Sequence, residues 1–279
     1  MFENNIISFI GSGMMAEAMI RGLLALKIVK PEQIIAAGPR PERGIHLHDR
    51  HGIRTTTSNR DAAEAGDIVV LSVKPQVLVS AMNEIRGQLR RQNLLLSIVA
   101  GAPIRKLADG TAHAAVVRAM PNTPAQIGQG MTVWTATLEV EERQQQQAQA
   151  ILGSLGQELY VDEEDYLDMA TALSGTGPAY VFMFMEAMID AGVHMGFSRR
   201  VATQLVMQTL RGSVAYAAQA HKHEAELRNQ VTSPGGTTAA ALYEMEKGGL
   251  RTVISHGIFA AYQRSISLGQ GKKRPTLDL

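Results

Sequence analysis

The stretch that most restricts what this chain can fold into is NIISFIGSGMMAEAMIRGLLAL, residues 5–26. Asn5 to Gly11 is an apolar, β-branched run of strand length, and MMAEAMIRGLLAL has helical spacing. Between them stands Gly11-x-Gly13-x-x-Ala16. A strand that ends in such glycines and opens a helix turns a weak pattern into an expectation of dinucleotide binding. Gly11 permits the tight turn, Gly13 lets backbone approach a pyrophosphate, and Ala16 allows close packing of helix on strand. The free N–H groups and positive dipole end of the helix meet the phosphates. An ordinary glycine turn is the alternative.

The alternation continues through IIAAG (Ile34 to Gly38), DIVVLSV (Asp67 to Val73), NLLLSIVAG (Asn93 to Gly101), HAAVVRAMP (His113 to Pro121) and MTVWTA (Met131 to Ala136), with a helix over Glu139 to Leu155. Strands apolar on both faces and separated by helical patterns predict a parallel sheet covered on each side. The glutamine run at Gln144 to Gln147 fits a solvated helical face. From Leu167 to Ser267 the texture becomes alanine- and methionine-rich, helical, and free of convincing strands. The expected fold is α/β: a Rossmann-like, doubly wound parallel sheet over residues 1–163, then an all-helical dimerisation domain over 164–279. Helices this apolar on more than one face cannot bury themselves within such a domain, so a second copy of the chain is the expected cover. The methionines of FMFMEAM suit that packing, and the tail GQGKKRPTLDL is expected to fray.

Composition narrows the function classes. The 279 residues carry 27 basic and 26 acidic side chains, scattered, so no nucleic-acid footprint or membrane patch is expected. No run approaches the roughly 18 apolar residues of a membrane span, and the N-terminus lacks a signal-peptide pattern, which points to the cytoplasm. Absence of cysteine removes disulfides, thiolate metal sites and a thiol nucleophile. Of the eight histidines, the close pairs His46/His48 and His221/His223 lie in polar surroundings, so no metal is expected.

Cofactor choice is decided at the end of the second strand. A site for NAD places an acid there for the ribose hydroxyls, whereas AAGPRPERG offers Arg40 and Arg43 and no acid before Glu42. That pattern favours the 2′-phosphate of NADPH, with NADH as the alternative; the arginines also fit solvated charges at a helix entry. Further along, SVKPQ (Ser72 to Gln76) and AMPNTPA (Ala119 to Ala125) sit at carboxyl ends of strands, where doubly wound sheets bind ligands. Pro121 and Asn122 are therefore expected at the nicotinamide ribose and the reacting centre. Lys74 is the only ammonium in these loops and could donate a proton, although a lysine before proline is more often positional.

FIGSGMMAEAM, AMPNTPA, ALSGTGPAYVF (Ala172 to Phe182) and VTSPGGTT (Val231 to Thr238) together resemble the Δ1-pyrroline-5-carboxylate reductases, nearly end to end, and VTSPGGTT is the most specific of the four. The resemblance implies NAD(P)H-dependent reduction of the cyclic imine pyrroline-5-carboxylate to L-proline, the final step of proline biosynthesis. It implies a Rossmann domain, a helical dimerisation domain, and homodimers that can assemble as a decamer. It places cofactor contacts on Gly11, Ser12, Gly13, Met14 and Met15, on Asn59 at the adenosine ribose, on the Val73-Lys74-Pro75 backbone and on Ala100. It places substrate contacts on Ser233, Gly235, Gly236, Thr237 and Thr238, and on Thr176, where relatives commonly carry serine. Pro39 stands where relatives have a polar side chain, which weakens the detail of a 2′-phosphate site.

VTSPGGTT contains no acid or base, yet its chemistry suits a carboxylate. Open N–H groups at Gly236, Thr237 and Thr238, with the hydroxyls of Ser233 and Thr238, form an anion site, and Pro234 pre-sets the turn. Ser233 could instead simply cap a helix. An imine that enters protonated needs no acid; for a neutral imine Thr238 is the expected donor. A β-hydroxyacid dehydrogenase would share this plan but carries a lysine after the glycines that open its helical domain, which SGTGPAYVFMF lacks. A dinucleotide-sensing module would not require VTSPGGTT.

Overall fold

The computed structural model describes residues 1–270; beyond Gly269 and Gln270, the tail expected to fray lies outside them. By packing, Met1–Gly177 with residues 261–270 forms one compact unit, and Pro178–Ala260 a second.

The first unit is built on one sheet. Strands β1 (Ile7–Ile10), β2 (Ile34–Ala37), β4 (Ile68–Leu71) and β5 (Leu94–Ser97) are buried along their whole length. With β3 (Arg54–Thr56), β6 (Val116–Met120), β7 (Gly130–Ala136) and β8 (Gly156–Tyr160) they give the order β3-β2-β1-β4-β5-β6-β7-β8. The pairing is parallel from β3 to β6, as expected. Along β1 successive side chains part: Ile7 and Phe9 join a core with α1 (Met14–Ala25) and α6 (Glu142–Gly153). Ile10 joins the opposite core, with α3 (Asn59–Ala65), α4 (Leu78–Ile85) and α5 (Ile104–Thr111). Two covered faces explain why these strands are continuously apolar.

One expectation is corrected: β7 runs antiparallel to β6. A parallel neighbour needs a crossover of a dozen or more residues, usually helical. Between Met120 and Gly130 the chain has Pro121 and Pro124 and makes only a 3₁₀ turn over Thr123–Ile127. It therefore turns straight back, and α6 then serves as the crossover that sets β8 parallel to β7. Helix α2 (Pro41–His51) follows β2 and ends at Gly52 in the left-handed region (φ 69°).

After β8, α7 (Tyr166–Ala170) leads into a π-helical turn at Thr171–Gly175 and then α8 (Gly177–His194). Gly175 packs against Met120, whose Cε would stand 2.6 Å from a Cβ placed there and would have to swing aside. Buried Arg118 on β6 ties strands to helices through Glu164 (2.7 Å) and Asp168 (3.2 Å). Glu164 also accepts from the Ile104 N–H at the start of α5, and Asp168 from Ser265 in α12 (Leu250–Gly269).

The second unit contains most of α8, α9 (Arg199–Ala220), α10 (Glu224–Gln230), α11 (Thr237–Lys247) and the first half of α12. Helices α8 and α9 meet closely where a Cβ on Gly192 would sit 3.0 Å from Ala202 Cβ. Few of its side chains are buried. Phe182, Met183, Val214, Tyr243, Val253 and Phe259 are all more than half exposed, so its apolar surface exceeds what these helices cover among themselves.

Candidate functional site

The glycine-rich turn lies where strand order reverses, between β1 and β4, the position at which doubly wound sheets bind nucleotides. Gly11 adopts φ 105°, and a Cβ there would come within 2.8 Å of the Ser72 carbonyl oxygen and 2.9 Å of Val73 Cγ1. Its N–H donates to the Ala37 carbonyl at 3.0 Å. The Ser72 hydroxyl donates to the Gly11 carbonyl at 2.7 Å, so the loops after β2 and β4 pin the turn from both sides. Gly13 is the N-cap of α1 with no side-chain cap, and a Cβ on it would meet no atom within 4 Å. The turn is thus closed behind Gly11 and open in front of Gly13, with the unpaired first N–H groups of α1 beside the opening. These residues fit a pyrophosphate. Ala16 is fully buried, Met14 is exposed, and Ser12 packs its hydroxyl against Gly38, where a Cβ would overlap it.

At the end of β2 the two arginines differ. Arg40 is exposed at the N-cap of α2, where its carbonyl accepts from the N–H groups of Arg43 (3.1 Å) and Gly44 (3.3 Å) while its side chain has no ion pair or hydrogen bond among the described residues. Arg43 donates from Nε to the Ser12 carbonyl at 2.9 Å and from Nη2 to Glu17 Oε2 at 2.6 Å. Glu17 also accepts from Arg50 (3.1 Å) and His51 (3.2 Å), with His46 at 4.0 Å. Burial pushes its carboxyl pKa up, but the hydrogen bonds of Arg43 and His51 and the charges of Arg43 and Arg50 outweigh that and hold it below its ordinary range. Asn59 opens α3 just after β3, where its amide donates to Glu84 at 2.8 Å.

Val73, Lys74 and Pro75 follow β4; Lys74 is exposed, and its side chain has no partner among the described residues. Ala100 is half-buried after β5, beside Gly101 in the left-handed region (φ 64°). Pro121 is buried at the end of β6. Asn122 has both ends of its amide engaged: Nδ2 donates to the Ser174 carbonyl at 3.1 Å, and Oδ1 accepts from the Met131 N–H at 2.9 Å. It clamps the π turn to the β6–β7 corner. The Thr176 hydroxyl donates to the Thr171 carbonyl at 2.8 Å and keeps its lone pairs.

In the second unit, Ser233 to Thr238 form a turn into α11. Gly235 takes φ 66°, a conformation that favours glycine, and Gly236 is the N-cap without a side-chain cap. Ser233 therefore does not cap the helix. The expectation of an open N–H at Gly236 is corrected, because that group donates to the Ser233 carbonyl at 3.1 Å. The N–H groups of Thr237 and Thr238 have no acceptor among the described residues. Ser233 is exposed, Thr238 half-buried.

The carboxyl ends of β1, β2, β4 and β5 therefore gather Gly11 to Met15, Arg40, Val73 to Pro75 and Ala100 on one edge of the sheet, with Asn59 after the neighbouring β3. The Ser233 to Thr238 turn belongs to the other unit. The loop that begins at Ser72 and the side chain of Arg43 were expected near the cofactor, but the bond from Ser72 to the Gly11 carbonyl and the pairing of Arg43 with Glu17 were not. Their signals were a serine before VKP and an acid in the first turn of the glycine-loop helix, neither of which reveals a partner distant in sequence. A cavity of about 850 Å³ lies elsewhere, lined by Arg21, Gln126, Gln129 and Ser154 and not by the glycine turn, whose groove is an open sheet edge.

Strand order, switch-point turn and open helix entrance define a Rossmann-type dinucleotide-binding protein with a helical extension. Comparison with known proteins sharpens this. Residues 164–268 match the family model described as pyrroline-5-carboxylate reductase dimerisation, and residues 6–101 that described as NADP oxidoreductase, coenzyme F420-dependent. A pyrroline-5-carboxylate reductase of Synechocystis is 39% identical over 95% of this chain and 98% of its own length. The crystal structure of Plasmodium falciparum pyrroline carboxylate reductase with NADP bound superposes with a TM-score of 0.88 at 33% identity, covering 96% of this chain and 99% of that one. The Coxiella burnetii pyrroline-5-carboxylate reductase gives 0.87 at 33% identity, covering 98% and 100%. The chain belongs to the pyrroline-5-carboxylate reductase family. It is an NAD(P)H oxidoreductase and forms homo-oligomers through its helical part; no described helix is long and apolar enough to cross a membrane.

Proposed function

We propose that the protein, a pyrroline-5-carboxylate reductase that makes L-proline from L-1-pyrroline-5-carboxylate, takes NADPH as the preferred donor and works in the cytoplasm as a dimer that can assemble five-fold into a decamer. The open entrance of α11 carries the substrate assignment: a carboxylate fits the free N–H groups of Thr237 and Thr238 beside the Ser233 and Thr238 hydroxyls, and the space at Gly235, where a Cβ would meet no atom within 4 Å, suits a small ring. Thr176, in the first unit, keeps hydroxyl lone pairs that suit a polar group of the substrate in this reading. The dinucleotide lies along Gly11 to Met15, Arg40, Asn59, Val73 to Pro75, Ala100, Pro121 and Asn122, and residues 164–279 form the dimerisation and substrate half.

The chemistry asks little of side chains. Bound dihydronicotinamide would supply the hydride to the imine carbon; the C=N π electrons become the nitrogen lone pair, and nitrogen carries either the proton already on the iminium or one relayed from water through the Thr238 hydroxyl, which regains its own proton from that water. Orientation and exclusion of water supply the rest. Absence of a 2′-hydroxyl acid and exposure of Arg40 favour NADPH. Steady-state kinetics of Thr238→Ala test the site: at least a tenfold loss in kcat/KM is expected, about 1.4 kcal/mol, whereas unchanged turnover and KM remove Thr238 from the mechanism.

A further inference from the structure

Arg40 and Arg43 look equivalent in the sequence, but only Arg40 is free to meet a ligand. Arg43 reaches back from α2 to the crown of the glycine turn, where its Nε holds the Ser12 carbonyl at 2.9 Å. Its Nη2 rests on Glu17, whose side chain is 14% exposed and which also accepts from Arg50 and His51. In a trans peptide the C=O and the following N–H point in opposite directions, so a cation that fixes the Ser12 oxygen also fixes the direction of the Gly13 N–H. The space in front of Gly13 is open. A fork with two separated donors is needed, because one must hold a backbone carbonyl while the other is anchored on a carboxylate.

We propose that Arg43, braced by Glu17, is a positioning residue that orients the Ser12–Gly13 peptide for the pyrophosphate common to NADPH and NADH, and that discrimination of the 2′-phosphate falls to Arg40. This deepens the dinucleotide half of the proposed function and is independent of which substrate is reduced.

The test is binding of NADPH and of NADH, by fluorescence titration without substrate, to the full-length protein and its Arg43→Ala, Arg43→Lys and Arg40→Ala variants. Amide hydrogen exchange over residues 11–17 is followed in the cofactor-free protein. Arg43→Ala should weaken both cofactors by about tenfold, with their ratio kept within about twofold, and should speed exchange in the turn. Arg43→Lys should not restore either affinity, because a point charge cannot make both contacts. Arg40→Ala should weaken NADPH more than NADH. If Arg43→Ala folds poorly, Glu17→Gln should reproduce its pattern at smaller size. Selective loss of NADPH in Arg43→Ala, restored NADPH affinity in Arg43→Lys, or no change in affinity and exchange would each overturn the proposal. A protein that binds cofactor as expected but does not reduce the imine would refute the substrate and leave this inference standing.

Discussion

Two glycines two positions apart do opposite things, and the difference can be measured. Gly11 is held at φ 105° against the Ser72 carbonyl, so Gly11→Ala meets both backbone strain and a clash and should cost about 2 kcal/mol or more of stability. Gly13 faces open space, so Gly13→Val should leave the melting temperature within a few degrees and mainly reduce NADPH affinity. Thermal melts with and without cofactor separate the two, and equal destabilisation by both would contradict the assignment. His113 offers a pH prediction. Burial pushes its pKa below the ordinary 6.5, partly countered by the hydrogen bond its Nε2–H donates to the Asn93 carbonyl at 2.8 Å. The unfolded chain therefore binds the proton first as pH falls, and stability drops from about pH 6.5 towards the lowered folded value. Melting temperatures between pH 7 and 5 should show that drop, flatter in His113→Gln. The glycine pattern was legible because strand, glycines and helix adjoin in sequence. The partners of Gly11 were not, because Ala37 and Ser72 come from other strands.

At the scale of elements, the buried strands stood out because both faces are covered. The two that escaped, β3 and β8, are edge strands with exposed or polar side chains, and so carry no apolar run. The direction of β7 was hidden because strand patterns say nothing of orientation; the proline-containing connection without a helix was the available signal. The π turn at Thr171–Gly175 likewise follows from tertiary contacts, with Asn122 and Met120 pressing on Ser174 and Gly175. Arg118 joins β6 to α5, α7 and α12 through partners that are themselves partly exposed. Arg118→Ala should therefore destabilise by about 2–4 kcal/mol, toward the lower part of the range for breaking a buried pair. Urea unfolding measures it, and a loss below about 0.5 kcal/mol would show that the hub is dispensable.

At the scale of the whole molecule, the helical part exposes phenylalanines, methionines and valines that no monomer in water keeps uncovered without consequence. Its apolar excess was legible from composition and spacing; which residues face the partner was not, since the covering surface belongs to another chain. Light scattering should give a dimer or a multiple of it, and Phe182→Glu with Met183→Glu should shift the mass toward the monomer and lower the melting temperature. The central claim is that this molecule transfers hydride from a nicotinamide to a cyclic imine. Its most direct test follows NADPH absorbance with pyrroline-5-carboxylate present while proline is assayed in the same cell, with NADH in parallel. One proline formed per NADPH consumed, faster than with NADH, is the predicted result; tight NADPH binding with no proline would contradict it.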